Sequence, residues 1–181
     1  MDALLRTLKV AQDKLDHAGI RNAVIGGLAV AAWGRPRLTD DVDIKVDAKR
    51  GDAAALLRLM APEFQPAENA LEHAKAIGVL FLDGPEGIRL DLLLADLGFD
   101  SQALDRAVEA QILPDFSARL CTAEDLILYK MITSRPRDQE DARSVVLEQG
   151  QKLDRAYIEH WLALFEQALD DSTLVAAFRA L

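Results

Sequence analysis

Three aspartates and a glycine pair are the residues of this chain best suited to chemistry. Gly26 and Gly27 follow the apolar run Ala23-Val24-Ile25, thirteen residues separate Gly27 from Asp41 with Asp43 two positions further on, and Asp91 stands in the later segment Ile88-Arg-Leu-Asp-Leu92. Carboxylates at close quarters repel one another unless one takes a proton or a cation sits among them. Hard cations such as Mg²⁺ are commonly held by a few carboxylates plus substrate phosphates. Glycines at a strand-to-helix turn let the backbone approach a ligand closely. A helix start offers free N–H groups and a positive dipole end to an anion. The combination points to a metal-dependent phosphate site. A triphosphate gripped at Gly26-Gly27 would present its α-phosphate to metal held by the aspartates. Two metal ions, Mg²⁺ or alternatively Mn²⁺, would activate an acceptor hydroxyl and stabilise the leaving pyrophosphate.

The elements that position these residues follow from periodicity. In Asp41 to Val46, Asp41, Asp43 and Lys45 alternate with Val42, Ile44 and Val46, which reads as a half-buried strand with both aspartates on one face. In Ile88 to Leu92, Arg89 and Asp91 share a face in the same way. Asp91 joins the pair if the two strands are sheet neighbours. The rest of the chain reads as a helix over 2–18 stopped by Gly19, a strand near 21–25, helices near 27–34 and 50–60, and a proline-interrupted connection with a short helical stretch over 62–75. Strands at 77–82 and 87–94 form a hairpin across Gly84-Pro-Glu-Gly87. A helix over 100–110 and a short strand near 116–121 come next, then helices near 123–133, 137–149, 154–169 and 171–180. Ile158, Trp161, Leu162, Phe165 and Leu169 keep helical spacing and are expected in a core or an interface.

A second cluster lies in Glu124 to Arg143. Thr122 or the residues after it can cap the helix, with Glu124 and Asp125 in its first turn. Lys130 has two readings: it reaches inward to nucleotide phosphates, or its ammonium snorkels to solvent beside a salt-bridged surface. Asp138 and Asp141 share a helix face and are placed to orient Lys130 or Arg135. Arg35, Arg37, Lys45, Lys49 and Arg50 around the aspartate strand form a candidate basic rim.

Composition excludes several classes. Net charge is −9, with 30 acidic against 21 basic residues, which argues against broad non-specific nucleic-acid binding. One cysteine, Cys121, excludes a disulfide framework and fits a reducing cytoplasm. The three histidines are scattered, so a histidine metal site is not expected. No apolar run is long enough for a signal peptide or a membrane span.

The order apolar-Gly-Gly, Asp-apolar-Asp, apolar-Asp resembles the nucleotidyltransferase superfamily of the DNA polymerase β type. Gly26-Gly27-Leu-Ala-Val, Arg37-x-Thr39-x-Asp41-x-Asp43 and the segment from Lys130 to Asp141 look like the small bacterial AbiEii-type enzymes, some of which are toxins of toxin–antitoxin pairs. The resemblance implies an α/β (α+β) fold: a mixed sheet flanked by helices, with a helical C-terminal third. The order of predicted elements adds a core domain over 1–121 and a helical extension over 122–181 packed on that core; the resemblance covers roughly residues 20–145. Gly26 and Gly27 would cradle the triphosphate. Asp41, Asp43 and Asp91 would be catalytic and hold the metal, with Asp91 as general base. Arg37, Thr39 and Lys130 would contact the nucleotide. The family often has serine where this chain has Gly27, so that hydroxyl contact is absent. The expected activity is transfer of a nucleoside monophosphate from an NTP such as ATP to a hydroxyl of a tRNA 3′ end, a protein or a small molecule, with an antitoxin as a further partner in the toxin case. The alternatives are a catalytically silent nucleotide-binding or protein-interaction module of the same fold, and a two-metal nuclease sharing the carboxylates.

Overall fold

Helix α1 (Ala3–His17) forms where leucine and alanine recur at helical spacing: Leu5, Leu8, Ala11 and Leu15 are buried. It stops at Gly19, which takes the left-handed conformation (φ 69°) favoured after a helix C-terminus. The computed structural model describes residues 2–96, 98–133 and 135–181. Among these residues the strands form one mixed sheet in the order β3-β4-β5-β2-β1-β7-β6. They are β1 (Asn22–Val24), β2 (Asp41–Val46), β3 (Gln65–Pro66), β4 (Val79–Asp83), β5 (Arg89–Leu94), β6 (Val108–Leu113) and β7 (Phe116–Leu120).

Two pairings matter most. β2 runs parallel to β5 in a register that sets Asp43 opposite Asp91 and Asp41 opposite Arg89. β1 runs antiparallel to β2 and delivers the chain to Gly26, the first residue of α2 (Gly26–Trp33). Alternation in β2 puts Val42, Ile44 and Val46 fully inside, with Leu80, Leu82, Leu90 and Leu92 buried beside them on β4 and β5. Helix α1 packs on β1 and β2 and against α3 (Ala53–Met60), α4 (Ala70–Ile77) lies on β4, and α5 (Gly98–Asp105) touches β2.

The chain divides into two compact units. The first comprises Met1–Leu28 and Leu38–Cys121 and holds the sheet. The second comprises Ala29–Arg37 and Thr122–Leu181, with α6 (Ala123–Met131), α7 (Pro136–Gln149), α8 (Arg155–Leu169) and α9 (Leu174–Arg179). Thr122 caps α6 by accepting from the Asp125 backbone N–H, and Pro136 sits at the start of α7, where its missing N–H is no loss. The fold is the expected one: a mixed sheet flanked by helices and a helical C-terminal third. No helix among the described residues is long and apolar enough to cross a membrane.

Several boundaries differ from the sequence expectation. The helix expected over 100–110 ends at Asp105, and Val108–Leu113 is a strand paired antiparallel with β7. Alanine, glutamate and glutamine favour a helix there, but pairing with β7 satisfies the same backbone groups, and tertiary context overrides propensity. In the proline-interrupted segment, Gln65–Pro66 adds a two-residue edge strand to β4, and α4 runs to Ile77, the residue at which the next strand was expected to start. Ile158 and Leu162 are buried as expected, whereas Leu169 is 58% exposed because α8 ends there.

Lys45, on the carboxylate face of β2, is buried against Asp100 of α5 at 3.1 Å. Removing one partner of a buried pair strands the other charge. Asp100→Ala is therefore expected to destabilise the protein by about 3–5 kcal/mol in urea unfolding. A loss below about 1 kcal/mol would show that the pair behaves like an ordinary surface one.

Candidate active site

The sheet register brings the three aspartates together. One carboxylate oxygen from each of Asp41, Asp43 and Asp91 lies within 4.8 Å of the others. Asp91 is only 6% exposed, and no aligned hydrogen bond reaches its buried Oδ1. Arg89 Nε lies 2.9 Å from that oxygen as an ion pair. Arg89 also donates from Nη2 to Asp41 Oδ2 at 2.9 Å, while the Thr39 hydroxyl donates to Asp41 Oδ1 at 2.8 Å. Burial pushes the Asp91 carboxyl up to about 6. The opposing charge of Arg89 pulls it down, and the Asp41 carboxylate beside it raises it further.

Both glycines are required by this packing. The Ile25 N–H donates to the Asp43 carbonyl at 3.0 Å, which carries the β1–β2 ladder up to Gly26. Gly26 has φ 62°, and a Cβ on it would meet Asp43 Oδ2 at 1.8 Å. A Cβ on Gly27 would meet Thr39 Oγ1 at 2.5 Å. The start of α2 thus lies directly against two site side chains, Asp43 and Thr39. Sequence reasoning explains these glycines by approach to a ligand; the structure adds that Asp43 and Thr39 fill the space a side chain would need.

Arg37 and Lys130 belong to a cluster within the second unit. Lys130 Nζ lies 2.6 Å from Asp138 Oδ1 and 2.9 Å from Asp141 Oδ2. Arg37 donates to both Asp141 oxygens, each at 2.8 Å, and the Thr133 hydroxyl donates to Asp138 at 2.8 Å. Lys130 is buried, so it does not snorkel, and the orienting role read for Asp138 and Asp141 has a geometric basis. Burial alone would raise the Asp141 carboxyl, but the bonds from Arg37 and Lys130 outweigh it and hold Asp141 below the usual carboxylate range.

The expected basic rim is largely engaged by local partners. Lys45 pairs with Asp100, Arg50 with Asp96 at 2.6 Å, and Lys49 donates to the Ala95 carbonyl at 2.7 Å. Arg89 is the residue whose place in the site sequence reasoning missed. Its signal was visible: it stands two positions before Asp91 on the same strand face.

The three carboxylates fit a divalent cation on their chemistry. They are acceptor-only groups, one of them buried with an oxygen that no aligned hydrogen bond satisfies. Two outcomes follow for the metal-free protein. Gly26→Ala, which puts a methyl group into Asp43 and strains a positive φ, is expected to lose more than about 1 kcal/mol in urea unfolding and to weaken Mn²⁺ binding; unchanged Mn²⁺ affinity would show that Asp43 can move aside. Asp91 takes up its proton more readily folded than unfolded, so its contribution to stability is complete below about 3.8 and is lost as pH rises through about 6. The melting temperature of Asp91→Asn should lie close to the native protein's near pH 4, rise above it between about pH 4 and 6, and keep a constant lead at higher pH. A gap that does not change with pH would show that Asp91 does not titrate in that range.

A sequence profile of the family described as nucleotidyl transferase of unknown function (DUF2204) matches residues 4–175. No curated protein matches the chain. Among solved structures, the crystal structure of ANT(2″)-Ia in complex with adenylyl-2″-tobramycin is 16% identical, with a TM-score of 0.56 over 99% of this chain and 98% of that one. The solution structure of the antibiotic-resistance factor ANT(2″)-Ia is 16% identical, with a TM-score of 0.54 over 97% of this chain and 91% of that one. An antigenic nucleotidyltransferase-like protein from Paracoccidioides brasiliensis is 18% identical, with a TM-score of 0.52 over 98% of this chain and 92% of that one. These likenesses agree with the mixed-sheet fold. With the profile match spanning nearly the whole chain, the protein belongs to this family of nucleotidyl transferases.

Proposed function

We propose that the protein transfers a nucleoside monophosphate from an NTP to a hydroxyl of a small polar acceptor and releases pyrophosphate. The observation that carries this reading is the convergence of Asp41, Asp43 and Asp91 beside the glycine turn that opens α2. Asp41, Asp43 and Asp91 would hold one or two divalent ions, Mg²⁺ or Mn²⁺. Bound there, such ions neutralise the phosphate charge that develops in transfer. Gly26 and Gly27 set the backbone N–H groups of the helix start toward the triphosphate. Thr39 orients Asp41 through its 2.8 Å hydrogen bond. Asp91, whose buried Oδ1 accepts no aligned hydrogen bond, is the group placed to take the proton of the acceptor hydroxyl. The acceptor oxygen forms a bond to the α-phosphorus, the bond from that phosphorus to the bridging oxygen breaks, the proton passes to Asp91 and the electron pair leaves with pyrophosphate. In the second unit, Arg37 and Lys130 act as nucleotide-binding groups whose orientation is set by Asp138 and Asp141.

A small acceptor suits the charge. At net −9 the chain attracts cationic molecules and repels polyanionic RNA. The likeness to ANT(2″)-Ia, whose crystal complex holds adenylyl-2″-tobramycin, supports the same reading.

The test is label transfer. The protein and Asp43→Asn are incubated with Mg²⁺ or Mn²⁺ and each α-labelled NTP in cell extract, with an aminoglycoside panel alongside. Label on a small molecule, reduced at least about a hundredfold in Asp43→Asn, is expected. Label on RNA or on a protein would move the acceptor to a tRNA end or a protein side chain and return the toxin reading. NTP binding without transfer to any fraction would identify a silent module, and cleavage of nucleic acid without NTP a nuclease.

A further inference from the structure

We propose that Arg89 is the resident counter-cation of the carboxylate site, and that a divalent ion enters by displacing it. The proposal rests on the reading of Asp41, Asp43 and Asp91 as a metal site. Alternation places Arg89 and Asp91 on one face of β5, and the parallel register sets Arg89 opposite Asp41 on β2. One guanidinium therefore touches two of the three carboxylates, at 2.9 Å from Asp41 Oδ2 and 2.9 Å from Asp91 Oδ1. Asp41 has both oxygens in use, since Thr39 donates to the other.

Arg89 keeps its charge at every pH the fold survives, and the neighbouring carboxylates raise its affinity for the proton further, against the opposing effect of burial. A divalent ion bound to the same oxygens would stand within a few ångströms of the guanidinium, and the two cations repel. One of them has to leave. The arginine is free to do so: its side chain is 51% exposed, and its guanidinium carbon lies 5.8 Å from the centre of the Phe81 ring on the adjacent strand β4. That ring is already within cation–π range, so a guanidinium released from the carboxylates can keep one of its present contacts. The metal-free site is thus held together by a tethered cation, and its affinity for an added ion is lowered by the pairs that ion must break.

Mn²⁺ binding, measured by calorimetry and by the paramagnetic signal of the free ion, tests this without nucleotide or turnover. Native protein, Arg89→Gln and Arg89→Lys are compared, with circular dichroism to verify the fold. Arg89→Gln is expected to bind Mn²⁺ on the order of tenfold more tightly and, without metal, to melt lower than the native protein. Arg89→Lys, which keeps the charge but cannot span two carboxylates as a fork does, is expected to fall between them. A gain of affinity is an outcome that structural damage does not produce. Equal or weaker Mn²⁺ binding by both variants, with native binding intact, overturns the role of Arg89 and leaves the metal reading standing. If Arg89→Gln does not fold, Arg89→Lys alone decides by the same criterion. Absence of Mn²⁺ binding in all three proteins overturns the proposal together with the metal reading beneath it.

Discussion

Mutual repulsion among Asp41, Asp43 and Asp91 is the constraint around which the first unit is organised. Two come from one strand face and the third from the parallel neighbour, in a register that leaves them no room to part. A fold tolerates such a cluster only with compensation. The structure supplies several forms of it: the guanidinium of Arg89, the hydroxyl of Thr39 and the raised proton affinity of Asp91. Each is partial. The electrostatic strain that remains is what an added cation would relieve.

The second unit solves a related problem differently. Asp138 and Asp141 lie one helical turn apart on α7, and their charges are balanced by Lys130 and Arg37. With the exposed Arg135 Nε 3.8 Å from Asp138 as well, the anions of this largely buried network are fully countered. Asp141 is held below its usual range there, whereas Asp91 is pushed above it. Asp141 accepts from two cations, whereas Asp91 faces Arg89 alone with the Asp41 carboxylate beside it, and the two carboxyls shift in opposite directions.

Much of this was legible in the sequence, for identifiable reasons. Strict alternation from Asp41 to Val46 gave the strand its exact limits, and the same alternation around Asp91 showed which residues share its face. Capping chemistry at Thr122 marked the start of α6. What was not legible depends on partners distant in the chain. The β6 strand reads as helix by propensity and becomes a strand only because β7 is there to pair with it. The role of Lys45 is set by Asp100, far along the chain, so it looked like rim charge when it is a buried ion pair. Arg89 was seen on the right face, but its contact with Asp41 needed the register of two strands that sequence alone does not provide.

The parallel pairing of β2 with β5 also ties ligand assembly to folding order. Asp43 and Asp91 are separated by 48 residues, and a parallel pair cannot close through a tight turn. The β4–β5 hairpin can form from local contacts, but the third carboxylate meets the other two only once the long crossover has closed. No early intermediate built from neighbouring residues alone contains the complete cluster. The three carboxylates therefore face one another only when the centre of the sheet is complete.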